Sequence, residues 1–520
     1  MPAPEATPAA EVGTFCLVLH SHLPWLLGHG RWPVGEEWLF QAWTRSYLRV
    51  SDVLGRLAAQ GHRHLLTLGV TPVLADQLDS PLALAGARAW VADWSLRAQD
   101  AAARPEPALR SLAADEFRAA TWAQDQLAGS WRSGGSAVLR SLAERGAVEL
   151  LGGPATHPFL PLLEPEVARL ALAVGLDDAR WRLGPGSTEP QGIWAPECGH
   201  SSGLELLYAA VGVRHAVYDE ATLAASGRRT SRGWRMAGTD VVAVGRDLGV
   251  TDRIWSSRTG YPTGAAYRDF HAIDAGSGLN PYAVTSALGG QKRWYDRRLA
   301  SAQVRRDAAA FVEAVRHRLR EVAACEGRPG LVVAAYDTEL FGHWWHEGPA
   351  FLELVLRTLP GAGVRVTTLS RALHGDDRHA PLVDGEIQLA DGSWGAGKDW
   401  SVWDGSAVRG LVDEGYWVQR RLLDVLDRTG PEGLRRPDLD QLLRQALLAL
   451  SSDWAFMVTR AQAADYALRR AAGHRSAFHR LAALIEEGSP AAGAEAVRQR
   501  ELDGPFPWLD ARPMLARSPA

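Results

Sequence analysis

Two carboxylates stand where apolar runs end: Glu197 in Gly192-Ile193-Trp194-Ala195-Pro196-Glu197-Cys198-Gly199-His200, and Asp337 in Val332-Val333-Ala334-Ala335-Tyr336-Asp337-Thr338-Glu339. Each run has the length and texture of a buried strand, and after the first a helical pattern opens at Leu204. Active sites of barrel enzymes collect at such strand ends. An acid between an indole and a proline is poorly solvated, so its protonation is open to tuning. Two acids on different strand ends can face each other across one barrel mouth. Glycoside cleavage needs such a pair: one acid attacks or stabilises the anomeric carbon, the other protonates the leaving oxygen. Asp337 taken alone could equally be a turn or N-cap residue.

His20-Ser21-His22 follows the first apolar run, and His157 follows Gly152-Gly153-Pro154 after the third. Alternate strand residues point the same way, so His20 and His22 share a face. That suits metal ligation, with Asp337 completing the set of a metal-dependent hydrolase. It suits hydrogen bonding to sugar hydroxyls equally well, and the residue types leave both open. A competing motif overlaps Glu197. Gly199-His200-Ser201-Ser202-Gly203 fits the nucleophile elbow of serine hydrolases, which would recruit a later acid such as Asp337 and a later His374. So short a pattern arises often by chance.

The positioning elements follow from periodicity. Strands are expected over Thr14–His20, His64–Leu68, Val148–Leu151, Gly192–Glu197, Arg214–Asp219, Asp240–Gly245, Leu331–Asp337 and Val364–Leu369. Helical patterns lie between most of them, including Leu204–Val211 and Val304–Ala324, which argues for an α/β barrel or open parallel sheet. A long helical insertion from about Leu82 to Glu144 separates the second and third strands. Beyond Leu369, helical spacing returns through Val408–Leu426, Leu442–Leu450 and Phe478–Ile485. The expected organisation is a disordered tail over 1–12, a barrel over 13–375 and a helical domain over 376–520.

Composition narrows the partners. The 520-residue chain has a formal charge of −4 and no basic excess, so nucleic acid is not expected. No apolar run approaches the ~20 residues of a membrane span. The opening Met1-Pro2-Ala3-Pro4-Glu5 lacks the basic and apolar regions of a signal peptide. Cys16, Cys198 and Cys325 form no spaced framework, in keeping with a reducing cytoplasm. Lysine occurs only at Lys292 and Lys398, neither in a phosphate-binding loop. The 21 tryptophans serve either as core anchors or as sugar-stacking faces, and composition does not choose.

Several motifs in a fixed order go further. They are His20-Ser21-His22-Leu23-Pro24, Trp32-Pro33-Val34-Gly35-Glu36-Glu37-Trp38-Leu39, and Glu149 through Pro158. Trp194-Ala195-Pro196-Glu197-Cys198 and Tyr336-Asp337-Thr338-Glu339-Leu340-Phe341-Gly342-His343-Trp344-Trp345 complete the set. On these residues the chain resembles glycoside hydrolase family 57, and within it the 1,4-α-glucan branching enzymes. The resemblance implies a distorted (β/α)7 barrel with helical insertions and a C-terminal all-helical domain. It implies Glu197 as nucleophile and Asp337 as general acid/base of a retaining reaction on an α-1,4-glucan, without cofactor or metal. Retention places the two carboxyls about 5–5.5 Å apart.

The same resemblance makes His20, His22 and His157 hydroxyl-binding residues and Trp32 an aromatic near the cleft. Tyr261 would tip a mobile loop that captures the acceptor, while Trp394, Trp403 and Asp453 would extend the glucan groove away from the cleavage point. Arg268 is carried over as substrate-binding from a segment that departs from the family, Tyr267-Arg268-Asp269-Phe270 standing where Arg-Glu-Phe-Tyr is usual. α-Amylase and 4-α-glucanotransferase activities on the same scaffold, and a non-catalytic glucan-binding protein, are the remaining alternatives.

Overall fold

A computed structural model describes residues 11–184, 189–285, 292–429 and 435–512. The first ten residues, expected to be disordered, lie outside that set. Among the described residues the strands are β1 (Gly13–Ser21), β2 (Leu66–Val70), β3 (Val148–Leu151), β4 (Gly192–Trp194), β5 (His215–Tyr218), β6 (Gly233–Met236), β7 (Val242–Gly245), β8 (Leu331–Asp337), β9 (Val364–Val366) and β10 (Val383–Ile387).

Seven of them close a ring. β1 pairs in parallel with β8 on one side and with β2 on the other, and β2 continues to β3. A single bridge, Gly152 to Ile193, carries β3 to β4, after which β5 and β7 follow in parallel. The Asp247 N–H donates to the Val333 carbonyl at 2.7 Å and joins the end of β7 to β8. This is the distorted (β/α)7 barrel. One distortion lies at β1, whose first residues pair with β9 and only the later ones, from Val18, with β2.

Alternation along each strand sorts its residues between the barrel interior and the surrounding helices. On β1, Phe15, Leu17 and Leu19 pack outward against helix residues such as Phe311 and Val315, whereas Cys16 and Val18 face inward. On β8, Val332, Ala334 and Tyr336 face out, and Leu331, Val333 and Ala335 face in. Both faces are covered, which is why these strands read as continuous apolar runs.

Three strand expectations change. The run expected to reach Glu197 stops at Trp194, because Pro196 has no N–H to give the ladder and the chain turns through Pro196–Cys198. Strand β6, antiparallel to β7, was not anticipated. Neither was β10, which pairs with β6 from within the segment 376–520 assigned as helical. Only Ile387 of β10 is buried, so the strand shows no apolar alternation. Among the described residues, every named element after β10 is helical.

The insertion folds as helices Pro81–Ala102, Pro107–Ala128 and Gly135–Glu144. It shares one apolar cluster with the C-terminal helices: Trp90, Trp94 and Leu112 belong to the same cluster as Leu442, Leu443 and Phe478. The C-terminal segment is therefore packed onto the barrel's loops rather than tethered beside them. No helix among the described residues is long and apolar enough to cross a membrane.

Candidate active site

The inward register of the strands builds the site. Two residues beyond Val18 comes His20, two beyond Ala335 comes Asp337, two beyond Val217 comes Asp219, and two beyond Val244 comes Arg246. Trp194 ends β4 on the same interior face. Period two thus carries five polar or aromatic side chains to one end of the barrel.

Glu197 is reached by a bend instead. Its backbone is left-handed (φ 59°, ψ 19°), and Cys198 follows at φ 51°. A side chain in this region costs about 1 kcal/mol or more, and such strain gathers at functional positions. The bend buries the carboxyl and gives each oxygen a donor. Trp394 Nε1 donates to Oε2 at 2.8 Å, and Ser452 Oγ donates to Oε1 at 2.8 Å. The Trp394 N–H also donates to the Glu197 carbonyl at 2.9 Å. Burial pushes the Glu197 carboxyl up to about 7, against the pull of Trp394 and Ser452. Each such bond to a charged acceptor is worth about 1.5–3 kcal/mol, so desolvation wins here.

Asp337 is held well above the usual carboxylate range, first by burial, then by the charges of Glu339 and Glu197, with Arg246 opposing. The Glu197 charge thus helps to keep the Asp337 proton in place. Glu339 is a third acid, raised to about 7 by burial, and accepts from the Tyr47 hydroxyl and the His22 N–H.

The histidines form one stack. His20 Nε2 lies 3.1 Å from His157 Nε2, and the His22 and His157 rings are stacked with centroids 4.0 Å apart. His20 stacks on Trp194 at 4.8 Å. Burial holds His20 and His157 neutral, well below the ordinary histidine range. His22 goes the other way: burial opposes its proton, but Asp453, 2.9 Å from Nε2, outweighs it. His22 Nδ1 meets the Thr71 hydroxyl at 2.9 Å, and His157 Nδ1 meets Ser452 Oγ at 3.1 Å. Ring nitrogens engaged in this way with each other, Thr71, Ser452 and Asp453 do not converge with Asp337 on one metal-sized point. The serine triad does not assemble either, since His374 faces His215 (3.3 Å) in a separate cluster with Glu149.

The expected binding residues fall in different places. Trp394 and Asp453 sit at the catalytic centre itself, on Glu197 and His22, not along a distant groove. Trp403 is buried with its ring stacked on Phe159 at 4.7 Å, because both belong to an apolar cluster under the C-terminal helices. There it lines an open pocket with Phe159, Ser451, Ser452 and Trp454, and Ser452 in turn reaches Glu197. Tyr261 packs its ring against Phe311 and Phe351, on helices outside the barrel. Arg268 is buried against Glu116 of the insertion and donates from Nε to the Asn280 carbonyl at 2.6 Å. It ties the insertion to the barrel rather than meeting a sugar. Trp32 is 72% exposed on the loop after β1.

Arg268→Ala removes the ion-pair partner of buried Glu116 and leaves it the Trp94 N–H and the field of Arg45, so a loss of roughly 3 kcal/mol in stability is expected. Thermal melting should show it, with KM for glucan unchanged in whatever fraction stays folded. A variant as stable as the parent but with raised KM would restore Arg268 to the substrate.

Ser452, Asp219 and Arg246 were not singled out from the sequence. Asp219 and Arg246 were legible by the two-residue rule at strand ends; Ser452, 255 residues from the acid it contacts, gave no local signal.

Glu197, buried, and Asp337, half-buried, thus stand at one mouth of a closed barrel, an acid pair of the kind glycoside cleavage uses. Residues 16–382 match the family model for glycosyl hydrolase family 57, and the chain belongs to that family. Residues 415–513 match the model described as 1,4-alpha-glucan branching enzyme, C-terminal. A probable 1,4-alpha-glucan branching enzyme of Mycobacterium tuberculosis is 46% identical, covering 96% of this chain and 98% of its own. The crystal structure of a branching enzyme from Thermococcus kodakaraensis, in complex with glucose, superposes with a TM-score of 0.89 at 30% identity, over 98% of this chain and 97% of that one. An alpha-amylase from Thermotoga maritima superposes at 0.84 with 25% identity, over 98% and 100% of the two chains.

Proposed function

We propose that the chain is a 1,4-α-glucan branching enzyme that works by retaining double displacement. Asp337, protonated, gives its proton to the glycosidic oxygen as Glu197 attacks the anomeric carbon and forms a glucosyl ester. A 6-hydroxyl of another glucan segment then attacks that carbon, Asp337 takes the hydroxyl proton, and the Glu197 carboxylate leaves. Neutral His20 and His157 accept from or donate to sugar hydroxyls, and the His22–Asp453 pair fixes the third imidazole.

The observation that carries this reading is the pair of acids in one barrel mouth, with residues of the C-terminal segment closing over the nucleophile. Trp394 and Ser452 both come from that segment and cap both Glu197 oxygens. Such a cover keeps water from the ester until a hydroxyl acceptor arrives, which is what separates transfer from hydrolysis. The cytoplasm is the compartment we assign, supported by three unpaired cysteines, two of them buried.

Incubation with amylose followed by proton NMR should show α-1,6 linkages, and iodine colour should fall without matching release of reducing ends. The likeness to the Thermotoga amylase favours hydrolysis as the second reading. In that case reducing ends would rise in step with the loss of iodine colour, and no α-1,6 signal would appear.

The burial of Glu197 also sets a pH dependence. Attack needs it ionised, so kcat/KM should fall as pH drops through about 7, and should hold above that while Asp337 keeps its proton. A profile flat between roughly pH 5 and pH 8 would contradict these roles.

A further inference from the structure

Trp394 owes its position to residues that no substrate contact explains. The Arg246 guanidinium carbon lies 5.2 Å from the centre of the Trp394 ring. Asp219 anchors that guanidinium from below, accepting from Nε at 2.9 Å and from Nη2 at 2.6 Å on one oxygen. The same oxygen accepts from Lys398 Nζ at 3.0 Å, and Lys398 belongs to the segment that carries Trp394. Trp194 meets the Trp394 ring edge-on at 5.2 Å and Trp255 stacks on it at 6.0 Å. The third guanidinium nitrogen, Nη1, is buried and without a hydrogen-bond partner among the described residues.

We propose that Arg246, held by Asp219, is a positioning residue for the nucleophile: it fixes the Trp394 indole from one face so that its N–H stays aimed at Glu197 Oε2. This rests on the reading of Glu197 as nucleophile. A cation over an indole face is attracted to the ring and draws electron density from it, which strengthens the N–H as a donor. A fully packed ring would hold the indole in place without a charge. The use of a buried, incompletely satisfied arginine points to an electrostatic task, because an unpaired guanidinium nitrogen in the interior is otherwise a net cost. The inward register explains its origin. Arg246 and Asp219 each stand one step beyond the last apolar inward residue of neighbouring strands β7 and β5, so a pair forms at the level where Glu197 is presented.

The charged and titratable groups around Glu197 are Asp453, His22, His157, Asp337 and, through the indole, Arg246. Arg246 also acts directly on Asp337, so its route through Trp394 is read on the acid limb, which reports Glu197, and not on the alkaline limb, which reports Asp337. Arg246→Lys keeps a charge near Asp219 but loses the flat face over the ring. Trp394→Phe keeps an aromatic ring but removes the N–H. Each alone should lower kcat on amylose about tenfold with KM little changed, and should move the acid limb of the kcat/KM profile upward as Glu197 loses its donor. The double variant should fall and shift no further than Trp394→Phe alone. Asp219→Asn, which releases the guanidinium while keeping the volume, should reproduce the Arg246→Lys profile and serves if the arginine variant does not fold.

Multiplicative losses in the double variant, or an acid limb that stays in place in both Arg246→Lys and Asp219→Asn, would overturn the positioning role. Full activity in Glu197→Gln would instead remove the nucleophile reading beneath it, and the two failures are distinguishable.

Discussion

Glu197→Gln should lose branching activity by roughly four orders of magnitude or more, the scale seen when a covalent nucleophile is removed. The amide cannot form the glucosyl ester, yet it fits the same site. Its oxygen can accept from Trp394 Nε1 and its NH2 can donate to Ser452 Oγ, so neither partner is abandoned. The fold should gain by the change. Below the ordinary carboxylate value of 4.5 the wild-type group is neutral in both folded and unfolded chains; through about 7 the folded chain must accept a buried charge. That lost stabilisation amounts to about 3 kcal/mol above pH 7. The glutamine variant should therefore melt higher than the parent at alkaline pH and no higher below pH 4.5. Added azide should restore bond cleavage in the smaller Glu197→Ala variant, giving a glycosyl azide of inverted configuration. Retained transfer in Glu197→Gln would remove this acid from the chemistry.

Asp337→Asn should cost roughly 10²–10⁴-fold on amylose, the range of general acid–base catalysis. Here the dependence on the leaving group is the diagnostic. An α-maltosyl fluoride donor departs without a proton, so the first step should recover while Glu197→Gln stays inactive on the same donor. The ester should then accumulate, because Asp337 is also needed to take the proton from the incoming 6-hydroxyl. Mass spectrometry of the intact variant after brief mixing should find the added maltosyl unit on the peptide that contains Glu197. Equal losses on amylose and on the fluoride would mean that Asp337 does not act on the leaving group.

Much of the architecture was visible in advance because parallel strands buried on both faces read as apolar runs. β3 and β8 occur over the expected residues, and β1 over one residue more at each end. β10 escaped because it offers a single buried side chain, and β6 because its burial does not alternate. The strand before Glu197 was drawn too long for a local reason that Pro196 already announced. Glu197, Asp337 and His20 were legible for the same reason the strands were: each directly follows an apolar run, while His22 and His157 lie a few residues further on.

The binding residues fared differently. Tyr261, Arg268 and Trp403 have the chemistry of ligand-binding side chains, and each is engaged inside the protein, against Phe351, Glu116 and Phe159 respectively. Residue type carries no information about which neighbour a side chain meets.

By itself the sequence determined the period-two patterns, and with them which residues face the interior of the barrel and stand at its mouth. That much is local, since alternation is a property of the strand backbone. Only the tertiary structure decided that a serine and an indole from the C-terminal segment would close on Glu197, and that Asp219, Arg246 and Trp394 would line up behind it. Those contacts join residues far apart along the chain. Their geometry depends on how helices and barrel share one core, which no single stretch of sequence contains.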